Sequence, residues 1–226
     1  MNTWCIPKPS AYFVAKMEDV LDVYARPHDP QRPVVCLDEA RKELHGERRE
    51  GLAAVPGHVQ KQDYQYHRLG TVSMFLAVEP LAGRRWVWCA ERQTRLELAD
   101  VLRDLADVHY SQAERIVLVT DNLKTHGIGA LYEAFEPRLA HRLARRFEWH
   151  YTPEHGSWLN IAEIELSVLS RQCLNRRFES EEHLEREMRV WERDRNVQAT
   201  KVNWQFRTED ARIKLRRLYP KWVKSS

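Results

Sequence analysis

Three acidic residues sit in local sequences that suit them to metal chemistry. Asp38 ends the apolar run Pro33–Leu37, and Asp121 ends a second run, Ile116–Thr120. Glu163 closes Ser157-Trp158-Leu159-Asn160-Ile161-Ala162-Glu163, which opens a helical pattern. Two strand ends and a helix can bring three carboxylates to one point. Without a thiolate or histidine cluster at metal-ligand spacing, such a set suits a hard, oxygen-seeking Mg²⁺ or Mn²⁺. A pair of these ions is a common device for cutting or joining phosphodiesters. Taken singly, each acid has a plainer role: Asp after a strand is a turn former or helix cap, and Glu on a helix is solvated. The order of the surrounding elements has to decide.

Ser10 caps a predicted helix to about Tyr24, where Phe13, Met17, Val20, Leu21 and Tyr24 recur at helical spacing. Pro27, Pro30 and Pro33 then form a linker. Val34–Asp38 reads as a buried strand. Residues 40–70 carry glycines and little periodicity, and read as largely irregular or as a protruding hairpin. Thr71–Glu79 and Arg85–Ala90 form a hairpin about Gly83. Thr94–Tyr110 is an amphipathic helix, Ile116–Thr120 a strand, and Gly129–Arg146 a helix broken at Pro137. Phe147–Tyr151 is the fifth strand, and a helix runs from Ser157 to about Leu174, with mostly helix beyond. The order β-β-β-α-β-α-β-α predicts an α/β fold, a ribonuclease-H-like mixed five-stranded sheet flanked by helices, with a helical C-terminal extension. In it the first and fourth strands are neighbours. Asp38 and Asp121 would lie side by side at the sheet edge, where open α/β sheets place their sites. The divisions expected are 1–32 (helix and linker), 33–178 (catalytic domain) and 179–226 (basic helical extension).

Composition narrows the class. The chain has 226 residues, 43% hydrophobic and 31% charged, enough for a real core and a solvated surface. No run approaches the ~20 apolar residues a membrane helix needs, and Met1–Cys5 is no signal peptide. The four cysteines are scattered, which fits a reducing cytoplasm, with Cys36 and Cys89 as small core residues. The net charge of +3 is uneven: residues 171–226 hold 15 Lys and Arg against 9 Asp and Glu. That tail suits a polyanion held near a metal site, or serves only solubility, since Arg and Glu interleave through 176–195.

With these elements placed, longer blocks become recognisable. Pro33-Val34-Val35-Cys36-Leu37-Asp38-Glu39, Val119-Thr120-Asp121-Asn122-Leu123-Lys124-Thr125-His126, His150–Glu163 and the tail Trp204–Arg212 stand in order along the chain. Together they resemble the DDE transposases of bacterial insertion sequences, in the mariner-like superfamily, and most closely the insertion-sequence 630 family. The resemblance implies that Asp38, Asp121 and Glu163 are the catalytic, metal-binding triad. It implies two Mg²⁺ ions per site, with Mn²⁺ as substitute. It implies cleavage of double-stranded DNA at transposon ends and strand transfer into target DNA, by a homodimer on DNA associated with the nucleoid. Asp121 and Glu163 are 42 positions apart, somewhat more than is typical of mariner relatives. Family members usually begin with a helix-turn-helix region that reads the terminal repeats. This chain starts at or just before the catalytic block, so DNA binding is expected to be weak, salt-sensitive and nearly sequence-blind. The alternative is a catalytically silent remnant that binds DNA or a full-length transposase.

Around the triad, Asn122, His126, His155 and Asn160 are candidates for supporting the acids or touching DNA. His126 is equally well a helix-start histidine without a role. Arg171, Arg176 and Arg177 are candidates for phosphate, which guanidinium pairs well. Trp158 is better read as packing than as stacking on a base. Glu163 and Glu165 are two residues apart, so at 100° per residue they point to nearly opposite sides of a helix. Glu163 falls with Asn160, Ser167, Ser170 and Arg171 on a polar wedge. Glu165 falls in the apolar band, where it requires a cation or a route to the edge.

Overall fold

In the computed structural model, residues 10–47, 66–121 and 127–221 are described. Helix α1 (Ala11–Tyr24) starts where Ser10 Oγ accepts the N–H of Phe13, and it buries Phe13, Met17, Val20, Leu21, Val23 and Tyr24. After the proline linker come strands β1 (Val34–Glu47), β2 (Tyr66–Glu79) and β3 (Arg84–Ala90). Helix α2 (Arg95–Asp104) opens with a capping box between Thr94 and Glu97 and continues as a π-helical turn, Leu105–His109. Strand β4 (Ile116–Thr120) follows, then α3 (Gly129–Ala134), α4 (Pro137–Ala144, Pro in its first turn) and β5 (Phe147–Tyr151). The expected break at Pro137 is there, because proline cannot donate within a helix but fits its start.

The sheet order is β3-β2-β1-β4-β5. The three leading strands pair antiparallel, and β1–β4 and β4–β5 pair parallel. The fold is the ribonuclease-H-like mixed sheet expected from the element order. Its two faces bury separate cores. Cys36, Val117 and Val119 face α1 and the C-terminal helices; Val35, Leu37, Ile116 and Leu118 face α2, α3 and α4.

Two expectations need correction. The first strand does not stop at Asp38, nor the second begin at Thr71. β1 and β2 continue as a hairpin, paired from Cys36–Val78 out to Glu47–Tyr66. Of the two readings of 40–70, the described part is the hairpin, while 48–65 lie outside the described residues. Its outer residues Arg41, Glu43, Tyr66, His67, Arg68 and Leu69 are exposed, so apolar alternation fades while backbone pairing persists. A bulge between Leu44 and His45 turns the ladder, and the His45 N–H bonds the Phe178 carbonyl at 2.8 Å.

The second correction concerns 157–174, which is three pieces. A 3₁₀ turn (Ser157–Leu159) leads to α5 (Ile161–Leu169), which ends in a π-helical turn, Ser170–Leu174. The cause is Asn160. Its backbone is extended and its side chain accepts the N–H of Ala162, so it caps a new helix instead of continuing the old one. Helices α6 (Glu181–Gln198) and α7 (Thr208–Lys214) complete the extension.

Candidate active site

Strand alternation aims the first acid. Cys36 pairs with Val119 across β1 and β4, and both lie in the core beneath α1 and α5. Asp38 stands two residues beyond that pair on β1, and Asp121 two residues beyond it, directly after the last residue of β4. With a side-chain period of two, Asp38 falls on the face that α5 covers. The β4–β5 ladder stays intact to its end, where the Thr152 N–H bonds the Thr120 carbonyl at 3.0 Å.

Asn160 brings the helix to that edge. It is 1% exposed. Its amide nitrogen donates to Asp38 Oδ2 and to the Leu37 carbonyl, both at 3.2 Å, while its Oδ1 accepts the Ala162 N–H at 3.1 Å. One buried amide thus ties the end of the first apolar run to the first turn of α5. Glu163 lies in that first turn and is exposed, with its N–H on the Asn160 carbonyl at 3.1 Å. A carboxylate there is favoured by the helix dipole. The other Asp38 oxygen accepts the Glu39 N–H at 2.8 Å.

The donor set so assembled is all carboxylate oxygen, which fits a hard divalent cation. Among the described residues, no three His, Cys, Asp or Glu side chains are gathered closely enough to hold a metal ion. The Asn160 bridge sets Asp38 beside the first turn of α5, which carries Glu163, and Asp121 follows the end of the neighbouring strand β4.

The remaining candidates fall in different places. Asn122 and His126 lie outside the described residues. His155 is exposed in the loop after β5, with a left-handed backbone (φ 62°) and Glu154 at 3.9 Å. Arg171 is exposed on the π-helical turn. Arg176 is engaged at the end of that turn: it donates to the Cys173 carbonyl at 3.1 Å, pairs with Glu187 and lies over the Phe178 ring. Arg177 lies over the Tyr66 ring, 5.4 Å from its centre. Trp158 packs, edge-on to Phe206 at 6.1 Å.

Glu165, two residues from Glu163, is 2% exposed. Arg85, fully buried, donates Nε to its Oε1 at 2.9 Å and a terminal nitrogen to its Oε2 at 3.2 Å. Arg195 of α6 donates to Oε1 at 2.8 and 3.0 Å. Arg85 also donates to the carbonyls of Gly83 and Thr200, both at 2.7 Å. Gly83 holds φ 71°, and a Cβ there would stand 2.4 Å from the Ala199 carbonyl oxygen, so glycine is required at this turn. The cation that Glu165 needs is therefore doubly present. An arginine beside the apolar Trp86-Val87 of β3 was the available signal for it.

The residues that sequence reasoning passed over entirely are Tyr24 and Cys36 as polar groups. The Tyr24 hydroxyl donates to the Leu159 carbonyl at 2.7 Å, accepts the Ile161 N–H at 3.4 Å and lies 3.4 Å from Cys36 Sγ. Tyr24 looked like one more apolar position on α1, and nothing local in the sequence marks its hydroxyl.

No helix among the described residues is long and apolar enough to cross a membrane. No curated protein matches the chain in sequence. Solved structures match it in fold. The mariner Mos1 paired-end complex with Mg is 14% identical, with a TM-score of 0.57, over 98% of this chain and 67% of that one. The Mos1 transposase paired-end complex with left transposon end is 13% identical, TM-score 0.58, over 88% and 61%. The Mos1 paired-end complex with Mn is 14% identical, TM-score 0.52, over 88% and 62%. The chain thus spans about three fifths of the length of two of these three. The family model for the DDE superfamily endonuclease matches residues 33–185, from the start of β1 into α6 and through all three candidate acids. The chain is a member of the DDE superfamily endonucleases.

Proposed function

We propose that this chain is the catalytic domain of a DNA transposase of the insertion-sequence 630 type, with Asp38, Asp121 and Glu163 as its metal-binding acids and residues 33–178 as the catalytic unit. The observation that carries the reading is the Asn160 bridge. A buried amide spends its donors on the Asp38 carboxylate and its strand, and its acceptor on the helix that presents Glu163. Mos1 complexes with Mg and with Mn are among the solved structures of similar fold, which supports divalent ions as the metals.

Two Mg²⁺ ions, replaceable by Mn²⁺, would lower the pKa of an attacking water or 3′-hydroxyl and stabilise the leaving oxygen of an in-line displacement. The protein's own part is positional. Asp38 would offer oxygens from within β1 and Asp121 from just past the end of the adjacent β4. Glu163 offers them from a helix start whose position Asn160 fixes. No serine or tyrosine nucleophile is required. The partner is double-stranded DNA, at transposon ends and at the target, and a homodimer on DNA allows two ends to be cut together.

The test is nicking of supercoiled plasmid in Mn²⁺ by the whole chain. Relaxed plasmid should accumulate, and Asp38→Asn and Glu163→Gln should each abolish it. A wild-type chain that binds DNA without nicking in either ion would leave the silent remnant as the better reading.

A further inference from the structure

The Tyr24 hydroxyl stands between the two elements that carry Asp38 and Glu163. Its contacts with Leu159 and Ile161 flank Asn160 on both sides, and Cys36 lies two residues before Asp38. Tyr24 and Asn160 together therefore hold four consecutive residues, Leu159 to Ala162, that lead into α5. Burial pushes the Tyr24 phenol well above its ordinary range and the Cys36 thiol up to about 12, so both keep their protons.

Helix α1 is itself held from the far end of the chain. Arg212 of α7 pairs with both oxygens of Glu18 at 2.9 and 3.0 Å, and the Tyr219 hydroxyl reaches the same carboxylate at 2.8 Å. Thr208 donates to Asp22 at 2.6 Å, and the Trp204 ring lies 5.4 Å from that of Tyr24. Tyr24 precedes the family-matched segment 33–185 and these C-terminal residues follow it. The two flanks close on each other, and Tyr24 is one of the side chains through which they reach the candidate site.

We infer that Tyr24 is a positioning residue for Glu163, its hydroxyl setting the start of α5 and thereby the affinity of the site for divalent ions. The inference rests on the proposed assignment of Asp38, Asp121 and Glu163 as metal-binding acids. Tyr24→Phe keeps the ring against Trp204 and removes only the junction. Partners that orient a metal's ligands typically contribute 10–100-fold to affinity, and a residue one step further out should give about tenfold.

The experiment measures Mn²⁺ binding by calorimetry, amide hydrogen exchange, and plasmid nicking against Mn²⁺ concentration, using the whole chain. In Tyr24→Phe the dissociation constant for Mn²⁺ should rise about tenfold. Exchange at the amides of Ile161, Ala162 and Glu163 should quicken while that of β1 and β4 stays put. Half-saturation of nicking should rise by the same factor, with the rate at saturating Mn²⁺ near wild type. Val20→Ala, buried in the same helix, controls for simple destabilisation and should leave Mn²⁺ affinity unchanged. If Tyr24→Phe binds Mn²⁺ as wild type does, or if Val20→Ala weakens binding equally, the positioning role is overturned. Asp38→Asn separates the premise from the inference: undiminished Mn²⁺ binding in that variant sinks the triad assignment itself.

Discussion

Helix α5 carries two glutamates of opposite circumstance. Glu163 is exposed in its otherwise buried first turn, beside the corner where Asn160 grips Asp38. Glu165 is closed off, between Arg85 of β3 and Arg195 of α6. The protein supplies the second carboxylate with its counter-charge and commits it to one arrangement. It leaves the first at the surface, held by its backbone. A carboxylate neutralised from within can only bind the fold together, whereas an exposed one at a fixed helix start can take a ligand. Residue type does not separate the two; the side of the helix does.

Substituting each glutamate is the sharpest way to break this comparison. Glu163→Gln should bring metal-dependent nicking down to background. Its effect on stability should stay within about 0.5 kcal/mol, as for a surface change. Glu165→Ala should reverse the pattern. It leaves the fully buried Arg85 facing no carboxylate, and breaking a buried pair typically costs about 3–5 kcal/mol. Urea denaturation would show a lowered midpoint, with nicking retained wherever the variant is folded. A stable but inactive Glu165→Ala alongside an active Glu163→Gln would mean the two roles are exchanged.

Asn160 serves both regimes, and its substitution should show both effects in smaller measure. Asn160→Ala removes a helix cap, worth about 1 kcal/mol. It also releases Asp38, so metal-dependent nicking should fall by about 10–100-fold, the usual cost of losing a partner that orients a metal's ligand. Asn160→Ser can still cap the helix but cannot reach the strand end with an amide. It should therefore recover the stability and not the activity. Recovery of both would show that the bridge to Asp38 has no bearing on the chemistry.

Much of this contrast was legible in the sequence, and what was not has identifiable causes. The stretches leading to Asp38 and Asp121 are buried on both faces, so their apolar runs are continuous and mark the strands, though not where β1 ends. The opposed directions of Glu163 and Glu165 follow from helical geometry alone. That Glu165 needed a cation followed from its apolar neighbours. Which cations met that need did not, because Arg85 and Arg195 lie 80 and 30 residues away and only the fold brings them in. The outer hairpin was one of two readings the sequence left open, because exposed strands lose the alternation that marks them, as Arg41 and Glu43 do opposite Ser73 and Thr71. The continuous helix expected from Ser157 was interrupted because one buried asparagine makes a better cap than a helix residue. Tyr24 escaped because its hydroxyl acts between segments 135 residues apart.

A third carboxylate lies between the two extremes and offers the smallest test. Glu148 of β5 has a side chain 22% exposed, bonded to Arg26 at 2.8 Å and to His150 at 3.0 Å, and paired with Arg32. Burial alone would raise its pKa, but the hydrogen bonds from Arg26, His150 and Arg32 outweigh that and hold it at about 2. The folded value is therefore depressed below the ordinary 4.5. A depressed carboxylate stabilises the fold above its unfolded pKa, and that contribution is lost as pH falls through the window from 4.5 toward 2. Glu148→Gln should therefore cost about 1 kcal/mol at neutral pH, since partly solvated pairs contribute little. The gap between wild type and variant should narrow below pH 4.5 and close near pH 2. Urea midpoints of both proteins across that range would measure it. If carboxylates here scale with burial, the loss must fall between the near-zero of Glu163→Gln and the several kcal/mol of Glu165→Ala. A gap that persisted unchanged to pH 2 would show that Glu148 stabilises the linker by packing and not by its charge.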